Sequence, residues 1–83
     1  MKRDQLLHKA EELINGDRAK EYGDAKKNFE DIARLWSVVL GIEVTAQQMA
    51  LCMIMVKAAR LMKTDHEDSW IDIAGYAALG GEK

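Results

Sequence analysis

The stretch Thr45-Ala46-Gln47-Gln48-Met49-Ala50-Leu51-Cys52-Met53-Ile54-Met55-Val56-Lys57-Ala58-Ala59-Arg60 decides the fold. Thr45 with Gln48 three residues on is a capping box, in which each side chain satisfies the other's backbone N–H. Residues 49–56 are apolar all round. They do not alternate, and Ala, Leu and Met are helix formers, so the stretch predicts a helix from about Ala46 to Lys63. Its apolar run is far too short to cross a bilayer. A helix without a polar face must sit at the centre of a fold or be covered by another subunit. An 83-residue chain has little else to surround it with. An oligomer using this helix is therefore favoured over a monomeric bundle.

Three further helices flank this one. From about Arg3 to Asn15, Leu6, Leu7, Ala10, Leu13 and Ile14 form one helical stripe, with Gly16 after it. From about Ala25 to Leu40 the apolar face is Phe29, Ile32, Ala33, Trp36, Val39 and Leu40, with Asp24 placed to cap and Gly41 to stop it. The last helix starts after a cap at Asp65 and runs to about Leu79, where Gly80-Gly81 ends it. Glu67 and Asp68 suit the positive end of its dipole. The chain contains no proline to interrupt any of them. The expectation is an all-α protein: one compact four-helix domain over residues 1–83, assembling into a homo-oligomer, a dimer or tetramer.

Composition narrows the function classes. A chain this small buries only about 60% of the surface its unfolded form exposes, so a lone monomer is marginal. Cys52 is the only cysteine, which excludes disulfides and cysteine-ligated zinc as staples. The net charge of −2 gives no basic surplus for duplex nucleic acid. No signal peptide is read at the start and no membrane span anywhere, so a soluble cytoplasmic protein is expected.

Chemistry concentrates on the last two helices. Their short connection near Thr64 to His66 makes them antiparallel neighbours, and counting outward sets Lys57 and Arg60 level with Asp72 and its surroundings. Lys57 and Arg60 are three apart; Asp68, Asp72 and Tyr76 are four apart; each set shares a face. Two cations and two carboxylates thus face each other across one hairpin. One reading is a structural ion-pair network that fixes helix register. The other is a polar site for an anionic ligand, with Lys57 and Arg60 on phosphate and Asp68 and Asp72 orienting them or accepting from a base or ribose. Asp68 and Asp72 at i, i+4 can also hold Mg²⁺, although the cations opposite them favour phosphate over metal. In the connection 17–24, Arg18 can reach phosphate and Tyr22 can stack on a base; the alternative is a solvated turn with Tyr22 on the core. Trp36 and Trp70 read as core residues first and stacking platforms second. Cys52 reads as a buried small apolar residue, the methionines as adaptable packing, and His8 and His66 as isolated surface residues.

Asp17-Arg18, Tyr22-Gly23-Asp24, Asn28-Phe29, Leu35-Trp36, Lys57 with Arg60, and above all Asp68-Ser69-Trp70-Ile71-Asp72-Ile73-Ala74-Gly75-Tyr76-Ala77-Ala78-Leu79 resemble a family of small bacteriophage and prophage proteins of unassigned function. The helix from Asp68 to Tyr76 more distantly resembles the final metal-binding helix of the MazG-like all-α nucleoside triphosphate pyrophosphatases, Mg²⁺-dependent helical oligomers. Their paired-glutamate motif is missing here; Lys57 and Arg60 stand in its place. The resemblance implies nucleotide binding without the catalytic apparatus. By analogy with phage sponges, it implies sequestration of a cyclic dinucleotide immune signal in pockets between subunits. The expected ligand contacts are Arg18, Tyr22, Trp36, Lys57, Arg60, Asp68, Asp72 and Tyr76, with no cofactor. The first alternative is a pyrophosphatase with Mg²⁺ on Asp68 and Asp72. The second is a helical module whose Met-rich face binds a host protein.

Overall fold

A computed structural model describes residues 1–16 and 25–82. Among them are four helices and no strand: α1 (Arg3–Asn15), α2 (Ala25–Leu40), α3 (Ala46–Leu61) and α4 (Glu67–Gly81). No described helix is long and apolar enough to cross a membrane. The proposed cap at Asp24 lies outside the described residues.

The capping box forms as the spacing predicts. Thr45 Oγ1 accepts from Gln48 N–H at 3.1 Å, and Gln48 Oε1 accepts from Thr45 N–H at 3.0 Å. Gly41 stops α2 in the left-handed region, φ 72°, which other residues rarely adopt. The corner that follows is stitched by Ser37: its Oγ donates to Ala33 O at 2.8 Å and accepts from Val44 N–H at 2.8 Å. One hydroxyl thus closes the α2–α3 connection.

Two helix ends differ from expectation. Asp65 does not cap α4; the N-cap residue is His66, without a side-chain cap bond. Asp65 Oδ1 instead accepts the indole N–H of Trp70 at 2.9 Å, an acceptor that the half-exposed ring needs and water alone would otherwise supply. α4 also continues through Gly80 and Gly81. Gly80 faces α3 across a tight contact: a Cβ there would lie 3.0 Å from the Cβ of Ala50. This glycine serves close helix approach rather than termination.

The helices stand in the spatial order α1, α4, α3, α2, with α4 packed on both α1 and α3, and α3 packed on both α4 and α2. The core is small. Phe29, Ala33, Met49 and Ala50 are buried together, with Ile32, Trp36, Met53, Tyr76 and Leu79 around them. The chain is less compact than expected: its radius of gyration is 13.3 Å, against about 12 Å for a compact domain of this length. α3 has helical neighbours on two sides only, so its third side stays open. Cys52 and Met55 are exposed there rather than buried. Val39 and Leu40 at the end of α2, Leu7 on α1, and Met62 and Trp70 are likewise exposed, so these apolar faces are only partly covered and Trp70 departs from its reading as a core residue.

Among the described residues Met49 is the largest apolar side chain buried completely. Met49→Ala is expected to destabilise the fold by about 2–5 kcal/mol through lost burial and the cavity left behind. Thermal unfolding followed by circular dichroism measures it; an unchanged midpoint would show that Met49 does not organise the core.

Candidate functional site

The open spatial order leaves a cleft of about 1280 Å³ with α3 and α4 as its floor and α1 and α2 as its walls. Lys57, Asp72 and Tyr76 lie on the floor, Trp36 and Phe29 on the α2 wall, and Lys9 and Glu12 on the α1 wall. Its central feature is an ion pair: Lys57 Nζ is 3.1 Å from Asp72 Oδ2, with side chains 13% and 29% exposed. This is the facing that counting outward from the α3–α4 turn predicts. The pair is too sheltered for solvent to screen it fully, and open enough to be reached from the cleft. An ammonium carries three donors, so the carboxylate leaves capacity for another acceptor.

Beside the pair, the rings of Phe29 and Tyr76 meet with centroids 5.5 Å apart and planes 37° apart. Such tilted contacts are favourable and hold both rings in place. Trp36 is partly buried on the same wall, a lining residue as well as a core one. The cleft therefore presents a cation, carboxylates and π surfaces within one chain.

Five of the eight residues expected at a site line this cleft: Trp36, Lys57, Asp68, Asp72 and Tyr76. Arg60 does not; it is exposed, and the lining of the cleft does not include it. Three positions beyond Lys57 it is turned about 60° around the helix axis, which separates the two cations. Arg18 and Tyr22 lie outside the described residues. Sequence reasoning missed Lys9, Glu12 and Asn28, which also line the cleft. Asn28 and Phe29 adjoin in the sequence, but Lys9 and Glu12 read as solvent-facing until α1 is known to lie against α4.

Among the described residues no group of three or more His, Cys, Asp or Glu side chains is placed to hold a metal ion. Asp72 is already engaged by the Lys57 ammonium, which repels a divalent cation at the same carboxylate. Away from the cleft, the Lys27 ammonium donates to Asp31 at 2.8 Å and, with Arg34 nearby, holds that carboxyl below its ordinary pKa. This is an exposed helix-surface pair.

Comparison with known proteins places these features in a group. The profile of a family described as a domain of unknown function (DUF6378) matches residues 5–83. The chain is 50% identical over 76 residues to the Gene 55 protein of Mycobacterium phage L5, covering 89% of this chain and 49% of that protein. It is 44% identical over 75 residues to the Gene 55 protein of Mycobacterium phage D29, covering 89% of this chain and 50% of that protein. The chain thus spans about half the length of the curated relatives it matches. No solved structure matches.

The sheltered pair predicts a signature in stability. Lys57→Met, which leaves Asp72 without its partner, is expected to cost about 1–3 kcal/mol, more than an exposed pair would. The double variant Lys57→Met with Asp72→Leu should recover much of that loss. Chemical denaturation of the wild type, both single variants and the double variant gives the coupling energy. Strict additivity would mean that the two groups do not interact.

Proposed function

The chain belongs to the DUF6378 family, represented in phages by the Gene 55 proteins, and from that premise we propose that it is a phage-encoded, non-catalytic nucleotide-binding protein. The observation that carries this reading is the Lys57–Asp72 pair on the floor of a cleft walled by Trp36 and Phe29 and shared with Tyr76. Phosphate is the ligand group that a half-sheltered ammonium recruits. A nucleobase is the ligand group that aromatic walls accept.

In this reading Lys57 contacts phosphate and Asp72 holds Lys57 in place. Asp68 accepts from a base edge or ribose, and Tyr76 and Trp36 flank the base. Arg60 attracts the anion from outside the cleft. At about 1280 Å³ the cleft of one chain exceeds a usual small-molecule pocket of about 300–1,000 Å³, which is room for a dinucleotide. A cyclic dinucleotide immune signal of the host, sequestered rather than hydrolysed, fits both the phage origin and the Lys57 ammonium standing at Asp72, one of the two carboxylates a metal would use.

The test is to incubate the protein with a panel of cyclic dinucleotides and (d)NTPs plus Mg²⁺, and to quantify free nucleotide by chromatography before and after heat denaturation. Depletion followed by full recovery of the intact nucleotide is the expected result. Lys57→Gln should weaken that depletion by about tenfold or more, the loss of one charge-assisted contact. Arg60→Ala should weaken it less. Conversion to monophosphate and pyrophosphate would replace this reading with a Mg²⁺-dependent pyrophosphatase. No depletion across the panel would sink the nucleotide reading and favour a helical module that binds a host protein.

A further inference from the structure

The α1 wall of the cleft is one face of that helix, with Lys9, Glu12 and Leu13 at i, i+3 and i+4. Two contacts fix how the helix runs along α4. The amino group of Met1 lies 3.4 Å from the Glu67 carboxylate. At the other end, a Cβ on Gly75 would stand 3.3 Å from Ile14 Cγ2. The start of α1 meets the start of α4, and the two helices run parallel. Lys9 falls between these points, beside the segment of α4 that carries Asp68 and Asp72.

Lys57 meets Asp72 from the other flank. It stands on α3, and α4 lies between α3 and α1 in the row of helices. The two lysines that line the cleft therefore approach the space over α4 from opposite sides.

Their states differ. Lys57 is paired with Asp72 at 3.1 Å. Lys9 makes no ion pair or hydrogen bond among the described residues. Two of the three lining carboxylates are occupied elsewhere: Asp72 by Lys57, and Glu12 by His8 Nε2 at 3.0 Å. The third, Asp68, has no hydrogen bond or ion pair among the described residues either. The cleft thus offers an unshared ammonium on one wall, an unshared carboxylate on the floor and the aromatic surface of Trp36 and Phe29 on the opposite wall. An ammonium only donates and a carboxylate only accepts. A ligand that satisfies all three brings an anionic acceptor, N–H or O–H donors and a π face.

We propose that Lys9 is a second phosphate contact, so that the ligand is held at two phosphate groups set apart, one on Lys57 and one on Lys9. This rests on the reading of the cleft as a nucleotide site and adds to it a residue and a ligand class. The base lies on the α2 wall, and the phosphate-bearing part of the ligand crosses the floor over α4. Two phosphodiesters on opposite sides of one ring, as in a cyclic dinucleotide, satisfy both lysines. A 3′,5′-cyclic mononucleotide brings a single phosphate and satisfies one. The phosphates of a nucleoside diphosphate are adjacent and gather on one flank. The second cation of the site therefore comes from across the fold, not from Arg60 on the same helix as Lys57.

The experiment measures binding of cyclic di-GMP, cyclic di-AMP, 3′,5′-cyclic AMP and ADP by equilibrium dialysis. The proteins are the wild type, Lys9→Gln, Lys57→Gln and Lys63→Gln. Lys63 is exposed and outside the lining, so it controls for net charge. Lys9 is exposed as well, and its variant should keep the helical circular dichroism of the wild type. The wild type is expected to hold one of the cyclic dinucleotides about tenfold or more tighter than cyclic AMP or ADP, the worth of one charge-assisted contact. Lys9→Gln should erase that margin and leave cyclic AMP unchanged. Lys57→Gln should weaken every ligand, and Lys63→Gln none. A second readout needs no substitution: the bound cyclic dinucleotide should slow acetylation of Lys9 and Lys57 but not of Lys63, followed by peptide mass spectrometry. Unchanged cyclic dinucleotide binding in Lys9→Gln, with Lys9 acetylated equally fast in its presence, would overturn the proposal and leave the nucleotide site standing. An equal loss in Lys63→Gln would reduce the effect to net charge and overturn it too. Failure of the wild type to bind any of the four nucleotides would overturn the site reading and the proposal with it.

Discussion

Everything in this small molecule depends on the close approach of α3 and α4. Gly80 removes the side chain that would hold the helices apart at Ala50. From that point toward the turn the two helices stay in antiparallel register, which sets Lys57 opposite Asp72. A larger residue at position 80 would push the helices apart at one end and shift that register. The ion pair and the glycine contact thus specify the same alignment, one by charge and one by shape.

With that hairpin fixed, the rest of the chain has few choices. α1 covers the far side of α4 and α2 the far side of α3, leaving the helices in an open row rather than a closed four-helix ring. The row leaves a cleft, and the core shrinks to a small cluster around Met49 and Phe29. The thin core is the reverse side of the large cleft, since 83 residues cannot build both.

Much of this was legible beforehand. Periodicity located all four helices, and helix–turn–helix counting brought Lys57 to Asp72, because both depend on local geometry with a fixed repeat. The local reading failed where neighbours decide. Asp65 has the form of a cap but serves Trp70; Gly80 has the form of a stop but serves packing. Cys52 and Met55 have the composition of a core but face outward, because no helix arrives on that side of α3. Lys57 and Arg60 show the same limit. Three residues apart they count as one face, yet the edge of a cleft is sharper than the width of a helical face. Lys9 and Glu12 could be found only once α1 was known to lie on α4.

The Ser37 stitch at the α2–α3 corner is made entirely of uncharged groups. Added salt cannot screen it, and nothing in it titrates between mildly acidic and mildly basic conditions. The floor of the cleft, in contrast, is built around opposite charges. A change of ionic strength therefore acts on the floor and leaves the α2 wall standing. Affinity measured across a salt series would report the charge of the ligand, free of any contribution from a collapsing wall.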